Sequence, residues 1–201
     1  MLLNFKRFVL ELGGKNPFIV LKDANLDYAV DCAAFGIYMH QGQVCMASSR
    51  ILVEDPVYDE FRAKFVAKTR TIKVGDPRDP STVIGPIMRK SHCAFVDDHI
   101  QDAVAKGARL LTGGTHDGPF YQPTVLADVT PAMKVYDEET FVPWAHIWFV
   151  AADAGAFGRL VVRRSGVHGS GLSPVWFAPV STLPSVLRLE PGHPRAPEHE
   201  R

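Results

Sequence analysis

The sequence has few cysteines, no excess of either charge and no long apolar run, and each absence excludes a class of protein. Its three cysteines, Cys32, Cys45 and Cys93, form no C-x-x-C pair, so neither a disulfide scaffold nor a metal site is expected. The 22 basic and 22 acidic side chains cancel, which argues against nucleic acid or a membrane surface as a partner. No apolar run approaches the ~20 residues that a membrane span needs, and the N-terminus has no signal-peptide pattern. These features predict a cytoplasmic protein with free thiols.

Lysine is missing from the C-terminal part of the chain. The last lysine is Lys134, whereas arginine, proline and glycine persist and all three tryptophans lie beyond Pro143. This shift predicts a folded region over residues 1–143 and an irregular, poorly ordered tail over residues 144–201. Two origins of the tail stay open: a Pro/Gly-rich extension of the protein, or GC-rich coding DNA read in a shifted frame.

Strand and helix patterns alternate along the first region, and no phosphate-binding loop accompanies them. Neither G-x-G-x-x-G nor G-x-x-x-x-G-K-[ST] occurs in the sequence. The alternation predicts an α/β fold. Strands are predicted at 17–21, 50–54 and 108–111, and helices from the capping residues 23–25 to about 40, from 55 towards the loop at 75–80, and from about 89 to 106.

Two short motifs contain residue types that can carry chemistry. In the first, Gly13 and Gly14 follow Glu11, so a ligand can approach the backbone closely and the carboxylate could act as a general base on water. In the second, Cys45 follows a break around Gly42, where a thiolate stabilised by backbone N–H groups could act as a nucleophile. Taken singly, each motif has a purely structural alternative: a turn after Glu11, or a small buried hydrophobic side chain at Cys45.

Together, these motifs resemble those of the aldehyde dehydrogenase superfamily. Residues 10–17, Leu-Glu-Leu-Gly-Gly-Lys-Asn-Pro, resemble its glutamate motif, and residues 42–45, Gly-Gln-Val-Cys, resemble its cysteine motif at the family's spacing. Residues 138–141, Glu-Glu-Thr-Phe, are similar to its E-E-x-F-G-P segment, and residues 74–86 are similar to the linker before a late helix. The resemblance extends over about residues 8–143.

The resemblance implies oxidation of an aldehyde to a carboxylic acid with NAD or NADP as cofactor. It implies that the Cys45 thiolate attacks the aldehyde, that the Cys45 N–H supports the oxyanion, and that Glu11 activates the water that hydrolyses the thioester. It assigns Glu139 to a ribose hydroxyl of the cofactor and Phe141 to the nicotinamide. His40 is similar to the residue found in members that oxidise aromatic aldehydes, and His92 falls where the family often directs a side chain towards the ribose.

The sequence also departs from the family pattern. Most of the family's NAD-binding domain lies upstream of its glutamate motif, so the resemblance implies a partial catalytic domain. Val142 stands where the family has glycine, and the pattern ends near Pro143, before the strand through which family members form homo-oligomers. We therefore expect little dehydrogenase activity from this chain alone. Two alternatives remain: a cofactor-independent esterase or thioesterase that uses Cys45 and Glu11, and a non-catalytic remnant.

Overall fold

The computed structural model describes residues 9–150 apart from Glu11, with the backbone alone for residues 145–150. The described strands are β1 Pro17–Val20, β2 Arg50–Glu54, β3 Arg109–Thr112, β4 His116–Asp117, β5 Phe120–Tyr121, β6 Thr124–Ala127 and β7 Trp144–Val150. The helices are α1 Leu26–Tyr38, α2 Asp55–Arg70, α3 Ser91–Ala105 and the short α4 Lys134–Asp137, with a 3-10 turn at Met39–Gly42. No described helix combines the length and the apolar composition needed to cross a membrane.

Five of these strands form one sheet in the order β1-β2-β7-β6-β3. The first four are mutually parallel, with Phe18 opposite Ile51 and Ile51 opposite Ile147, while β3 is antiparallel to β6. Strands β4 and β5 form a separate two-stranded hairpin. Parallel strands joined through helices confirm the predicted α/β class.

Local signals in the sequence explain where the first two helices begin and end. The Asn25 side chain accepts a hydrogen bond from the Tyr28 N–H at 3.1 Å, which caps one of the amides at the start of α1 that has no partner inside the helix. Pro56 lies in the first turn of α2, where its missing N–H costs no helical hydrogen bond. Helix α1 ends at Tyr38, two residues before the predicted end, because His40 and Gln41 adopt positive φ angles of 49° and 60°.

Two clusters of apolar side chains cover opposite faces of the sheet. One face of β2, with Ile51 and Val53, packs with the buried residues of α1 and α2, including Phe61 and Phe65, whose rings stack at 5.8 Å. On β6, Val125 belongs to this first cluster whereas the adjacent residue Leu126 belongs to the second, which is built from α3, α4 and their connections. Successive strand residues point to opposite faces, so both sides of the sheet are covered.

The predicted boundary after Pro143 falls directly before β7. This strand lies between β2 and β6, so residues 144–150 are part of the sheet. The rest of the predicted tail, residues 151–201, lies outside the described residues, and for these residues the tail region stays a prediction.

Candidate active site

The loop that carries Cys45 begins with a left-handed turn at the end of α1. Gly42 has φ +66°, and a Cβ atom there would overlap the Val142 carbonyl group and lie 2.8 Å from the Pro143 nitrogen. Only glycine fits at position 42 without strain, because the positive φ is combined there with a lack of room for a side chain. The turn directs the chain away from α1 and places Cys45 at the surface, where its thiol is exposed.

Hydrogen bonds from three directions fix the Cys45 loop. The Asn16 side chain donates to the Cys45 carbonyl at 2.9 Å, and the Ser48 N–H donates to the Gly36 carbonyl of α1 at 3.1 Å. The Gln43 side chain accepts from the Met88 N–H at 3.0 Å. No carbonyl of the described residues accepts from the Cys45 N–H, so this amide has no backbone partner among them.

A surface cleft of about 490 Å³ surrounds the exposed thiol. Its walls contain Leu12, Gly13, Gln43, Val44, Cys45, Glu139 and Phe141. The fold therefore brings Cys45, Glu139 and Phe141 together, although nearly a hundred residues of chain separate the thiol from the other two. Glu11 lies outside the described residues, so its predicted position beside Cys45 stays a prediction.

The cleft-lining residues Glu139 and Phe141 belong to a segment, residues 138–141, that we call the strap. A Cβ atom at Gly13 would overlap the Glu139 carboxylate, so this glycine permits the close approach of the motif backbone to the strap. The His92 Nε2 atom lies 2.7 Å from the Thr140 carbonyl oxygen, so this histidine binds the strap itself. Phe141 adopts φ +52°, which turns the chain at the end of the strap.

Lys15 links the glutamate motif to the strap. Its Nζ donates to the Glu138 carbonyl at 2.9 Å and lies 5.4 Å from the centre of a Trp144 ring. Loss of hydration in this half-buried position, together with the nearby Arg50 guanidinium, lowers the pKa of Lys15 to about 7. The carboxylates of Glu139, Asp137 and Glu138 oppose that shift without cancelling it.

The motifs alone did not reveal several residues that build the site. Asn16 and Lys15 are part of the glutamate motif, and their place in that motif was the available signal for them. Gln43 is part of the cysteine motif, but its contact with Met88 could not be predicted, and His99 gave no signal, because the partners Met88 and Glu138 are distant in the sequence. The described residues contain no group of three or more His, Cys, Asp and Glu side chains arranged to hold a metal ion.

Comparisons with known proteins identify the family of the chain. The model of the aldehyde dehydrogenase family matches residues 2–157. Vanillin dehydrogenase of Pseudomonas fluorescens is 47% identical over 142 residues, which are 71% of this chain and 30% of the relative. The probable succinate-semialdehyde dehydrogenase [NADP(+)] of Sinorhizobium fredii is 46% identical over 188 residues, which are 92% of this chain and 37% of the relative.

Solved structures show the same fold. The salicylaldehyde dehydrogenase of Pseudomonas putida G7, complexed with salicylaldehyde, has a TM-score of 0.70 at 40% identity over 75% of this chain and 31% of its own. Betaine aldehyde dehydrogenase of Staphylococcus aureus, in complex with NAD+, has a TM-score of 0.70 at 35% identity over 74% and 31% of the two chains. The chain thus spans about a third of the length of the relatives that it matches. Because the family model matches most of the sequence and the fold agrees, the chain belongs to the aldehyde dehydrogenase family.

Proposed function

We propose that this chain carries the thiol site for NAD(P)-dependent oxidation of an aldehyde to a carboxylic acid. The observation that carries the proposal is the shared cleft, in which the exposed Cys45 thiol lies with Glu139 and Phe141. A nucleophile in an open cleft can reach a carbonyl carbon, and family membership favours this chemistry over that of an inert surface cysteine.

The proposed reaction proceeds through a covalent bond to Cys45. The thiolate attacks the aldehyde carbon, and the Cys45 N–H donates a hydrogen bond to the oxygen as it gains charge. Loss of hydride from the resulting thiohemiacetal leaves an acyl thioester on the sulfur. Glu11 then removes a proton from water, and the hydroxide that this generates hydrolyses the thioester to the acid and frees the thiol.

The residues of the cleft fit the nicotinamide end of NAD or NADP. Glu139 offers a carboxylate to ribose hydroxyl groups, and the half-buried Phe141 offers an apolar face to a planar ring. When bound, the cofactor accepts the hydride. The protein groups that hold it here are these two side chains, and the strap determines where they lie.

Aromatic aldehydes are the substrate class that we propose, in a cytoplasmic setting where the three cysteines stay free. Support comes from relatives named vanillin dehydrogenase, benzaldehyde dehydrogenase and salicylaldehyde dehydrogenase. The apolar side chains of Leu12, Val44 and Phe141 in the cleft walls suit an aromatic ring. His40 is exposed and is not among the cleft-lining residues, so the proposal rests on the apolar walls and the relatives.

The test follows reduction of the cofactor together with acylation of Cys45. Benzaldehyde or vanillin is mixed with the chain and NAD+ or NADP+. Formation of the reduced nicotinamide is followed by its absorbance at ~340 nm, and acylation of Cys45 is followed by mass spectrometry. Reduced cofactor that depends on Cys45, lost in Cys45→Ala and kept in Cys32→Ala, supports the proposal. Equal reaction of Cys45→Ala and the unchanged chain would overturn it.

A second candidate function is hydrolysis of activated esters without a cofactor, favoured by the exposure of the Cys45 thiol. In this reaction p-nitrophenyl acetate acylates Cys45. Glu11 then assists the hydrolysis that releases acetate. A burst of nitrophenol followed by slow turnover, absent in Cys45→Ala, supports this activity. Glu11→Gln should keep the burst and slow the later phase, because only deacylation needs the base. If there is no burst from the unchanged chain, this candidate is rejected.

A further inference from the structure

The buried His99 side chain on α3 contacts the strap through Glu138. Its side chain is 1% exposed, and its Nε2 lies 3.1 Å from Oε2 of the Glu138 carboxylate. Its other ring nitrogen, Nδ1, lies 2.9 Å from the Phe95 carbonyl oxygen one helical turn earlier. Both ring nitrogens therefore face oxygen atoms.

The chemistry of these oxygen atoms fixes where the protons must be. A carbonyl oxygen only accepts, so Nδ1 carries a proton and donates to Phe95. An ionised carboxylate also only accepts, so the contact with Glu138 needs a second proton, either on Nε2 or on the carboxyl group. The His99–Glu138 pair is thus a hydrogen bond that holds one proton between the ring and the carboxyl group, with Asp98 4.0 Å from Nδ1 as a further charge.

The surroundings hold this ring in one place. The Phe95 ring lies 4.1 Å from the His99 ring and 5.1 Å from that of His92, so the three rings form a continuous row along α3. Lys134 pairs with Asp98 at 2.7 Å, and Lys15 donates to the Glu138 carbonyl. The strap is consequently attached through a side chain at Glu138 and through main-chain carbonyls at Glu138 and Thr140.

We propose that His99 is a positioning residue: its proton-sharing bond with Glu138 fixes the strap so that Glu139 and Phe141 stay in the Cys45 cleft. The inference rests on the proposed function, because the positions of Glu139 and Phe141 matter only if these residues hold the nicotinamide end of the cofactor. Glu139 follows Glu138 directly, so a shift of Glu138 displaces Glu139 as well. His99 itself is not among the residues that line the cleft.

The same helix offers a matched control. On α3, Asp97 accepts from His116 Nε2 at 3.1 Å, while His116 Nδ1 lies 2.9 Å from the Gly118 carbonyl oxygen. This second histidine also has oxygen atoms at both nitrogens, but it belongs to the β4–β5 hairpin and joins that hairpin, not the strap, to α3. Asp97→Asn therefore makes the same change of carboxylate to amide without touching the strap.

The experiment compares Glu138→Gln, His99→Phe and His99→Gln with Asp97→Asn in the full chain. Amide hydrogen exchange is measured by mass spectrometry over the strap, over β2 and over the hairpin, and the protons on the His99 nitrogens are read by 15N NMR. We expect strap exchange to rise roughly three- to tenfold in His99→Phe, with β2 unchanged, as expected for loss of one hydrogen bond. The rise should be smaller in Glu138→Gln, because the new amide N–H can donate to an unprotonated Nε2. The His99 Nε2 proton should disappear in Glu138→Gln, and His99→Gln, which keeps a donor, should recover part of the protection.

A binding measurement connects the strap to the cofactor. Nicotinamide mononucleotide is titrated into each variant by NMR, and its affinity should fall with the rise in strap exchange, while Asp97→Asn binds as the unchanged chain does. Unaltered strap exchange in both Glu138→Gln and His99→Phe overturns the inference, as does faster strap exchange with unaltered nucleotide affinity. If the unchanged chain does not bind the nucleotide, the proposed cofactor contact fails, and strap exchange alone then decides whether His99 positions the strap.

Discussion

Lys15 illustrates how one residue of the glutamate motif responds to the tertiary structure. In the sequence it is the polar member of a glycine-rich stretch, whereas in the fold its ammonium group lies beside Trp144 and near the Arg50 guanidinium. Burial and the neighbouring positive charge both disfavour the protonated form. A neutral amine still donates to the Glu138 carbonyl, so the contact with the strap does not need the charge.

We predict that Lys15 makes the folded state more stable as the pH rises above 7. The folded-state pKa of about 7 is lower than the unfolded value of 10.5, so between these pH values the unfolded chain binds more protons. Below pH 7 both states are protonated and the full cost of burying the charge is present. From pH 7 to 9.5 the unfolding free energy of the unchanged chain should gain about 1–3 kcal/mol relative to Lys15→Met.

Urea unfolding of both proteins at several pH values checks this prediction. Lys15→Arg is the control, because arginine stays protonated over the whole range and should show no such gain. Parallel pH profiles for the unchanged chain and Lys15→Met would show that the Lys15 amine is hydrated in the folded protein.

At the scale of elements, the turn between α1 and the Cys45 loop determines where the thiol lies. Gly42 in this turn packs against the backbone of residues 142–143, which directly precede β7. The turn therefore ties the cysteine motif to the C-terminal end of the strap. A single glycine connects two segments that are distant in the sequence.

We predict that Gly42→Ala destabilises the fold far more than Gly118→Ala. Both glycines have positive φ, +66° and +55°, so both variants acquire the left-handed strain of roughly 1–2 kcal/mol. Only Gly42 has backbone atoms where the new methyl group would lie, whereas Gly118 has nothing within 4 Å. Gly42→Ala should cost about 3 kcal/mol or more in unfolding free energy, and it should change the alkylation rate of Cys45. Equal losses of stability in the two variants would contradict this packing.

At the scale of the whole molecule, the two apolar clusters hold the sheet between layers of helices. The first cluster contains the stacked rings of Tyr38, Phe61 and Phe65, and the second contains Trp144 at the start of β7. Since each cluster collects residues from distant parts of the chain, damage to either should loosen the sheet that supports the cleft.

We predict that Phe65→Ala costs about 3–5 kcal/mol in unfolding free energy, because the fully buried ring leaves a cavity between α1 and α2. Phe35 on α1 is 67% exposed, so Phe35→Ala should change stability by about 0.5 kcal/mol or less. Denaturant unfolding followed by circular dichroism measures both variants. A comparable loss in the two would mean that the Phe35 face of α1 is covered in solution.

Sequence patterns predicted the three long helices and the strands β1, β2 and β3, but they missed the remaining strands and the short helix α4. The helices at 26–38, 55–70 and 91–105 lie within a few residues of their predicted positions, since each has helix-spaced apolar residues and local signals at its ends. Strands β4, β5 and β6, helix α4 and strand β7 were not predicted. These missed elements depend on partners elsewhere in the fold, and a short window of sequence does not contain those partners.

The sequence by itself determined the α/β class, the family and the candidate nucleophile, because these follow from local periodicity and from short motifs at matched spacing. Only the tertiary structure decided that Cys45 shares a cleft with Glu139 and Phe141, and that His99 and Lys15 hold the strap. The physical reason is that these contacts are non-local. They arise where the Cys45 loop, α3 and the segment before β7 meet beside a sheet whose strand order differs from the chain order, and local residue preferences do not encode that order.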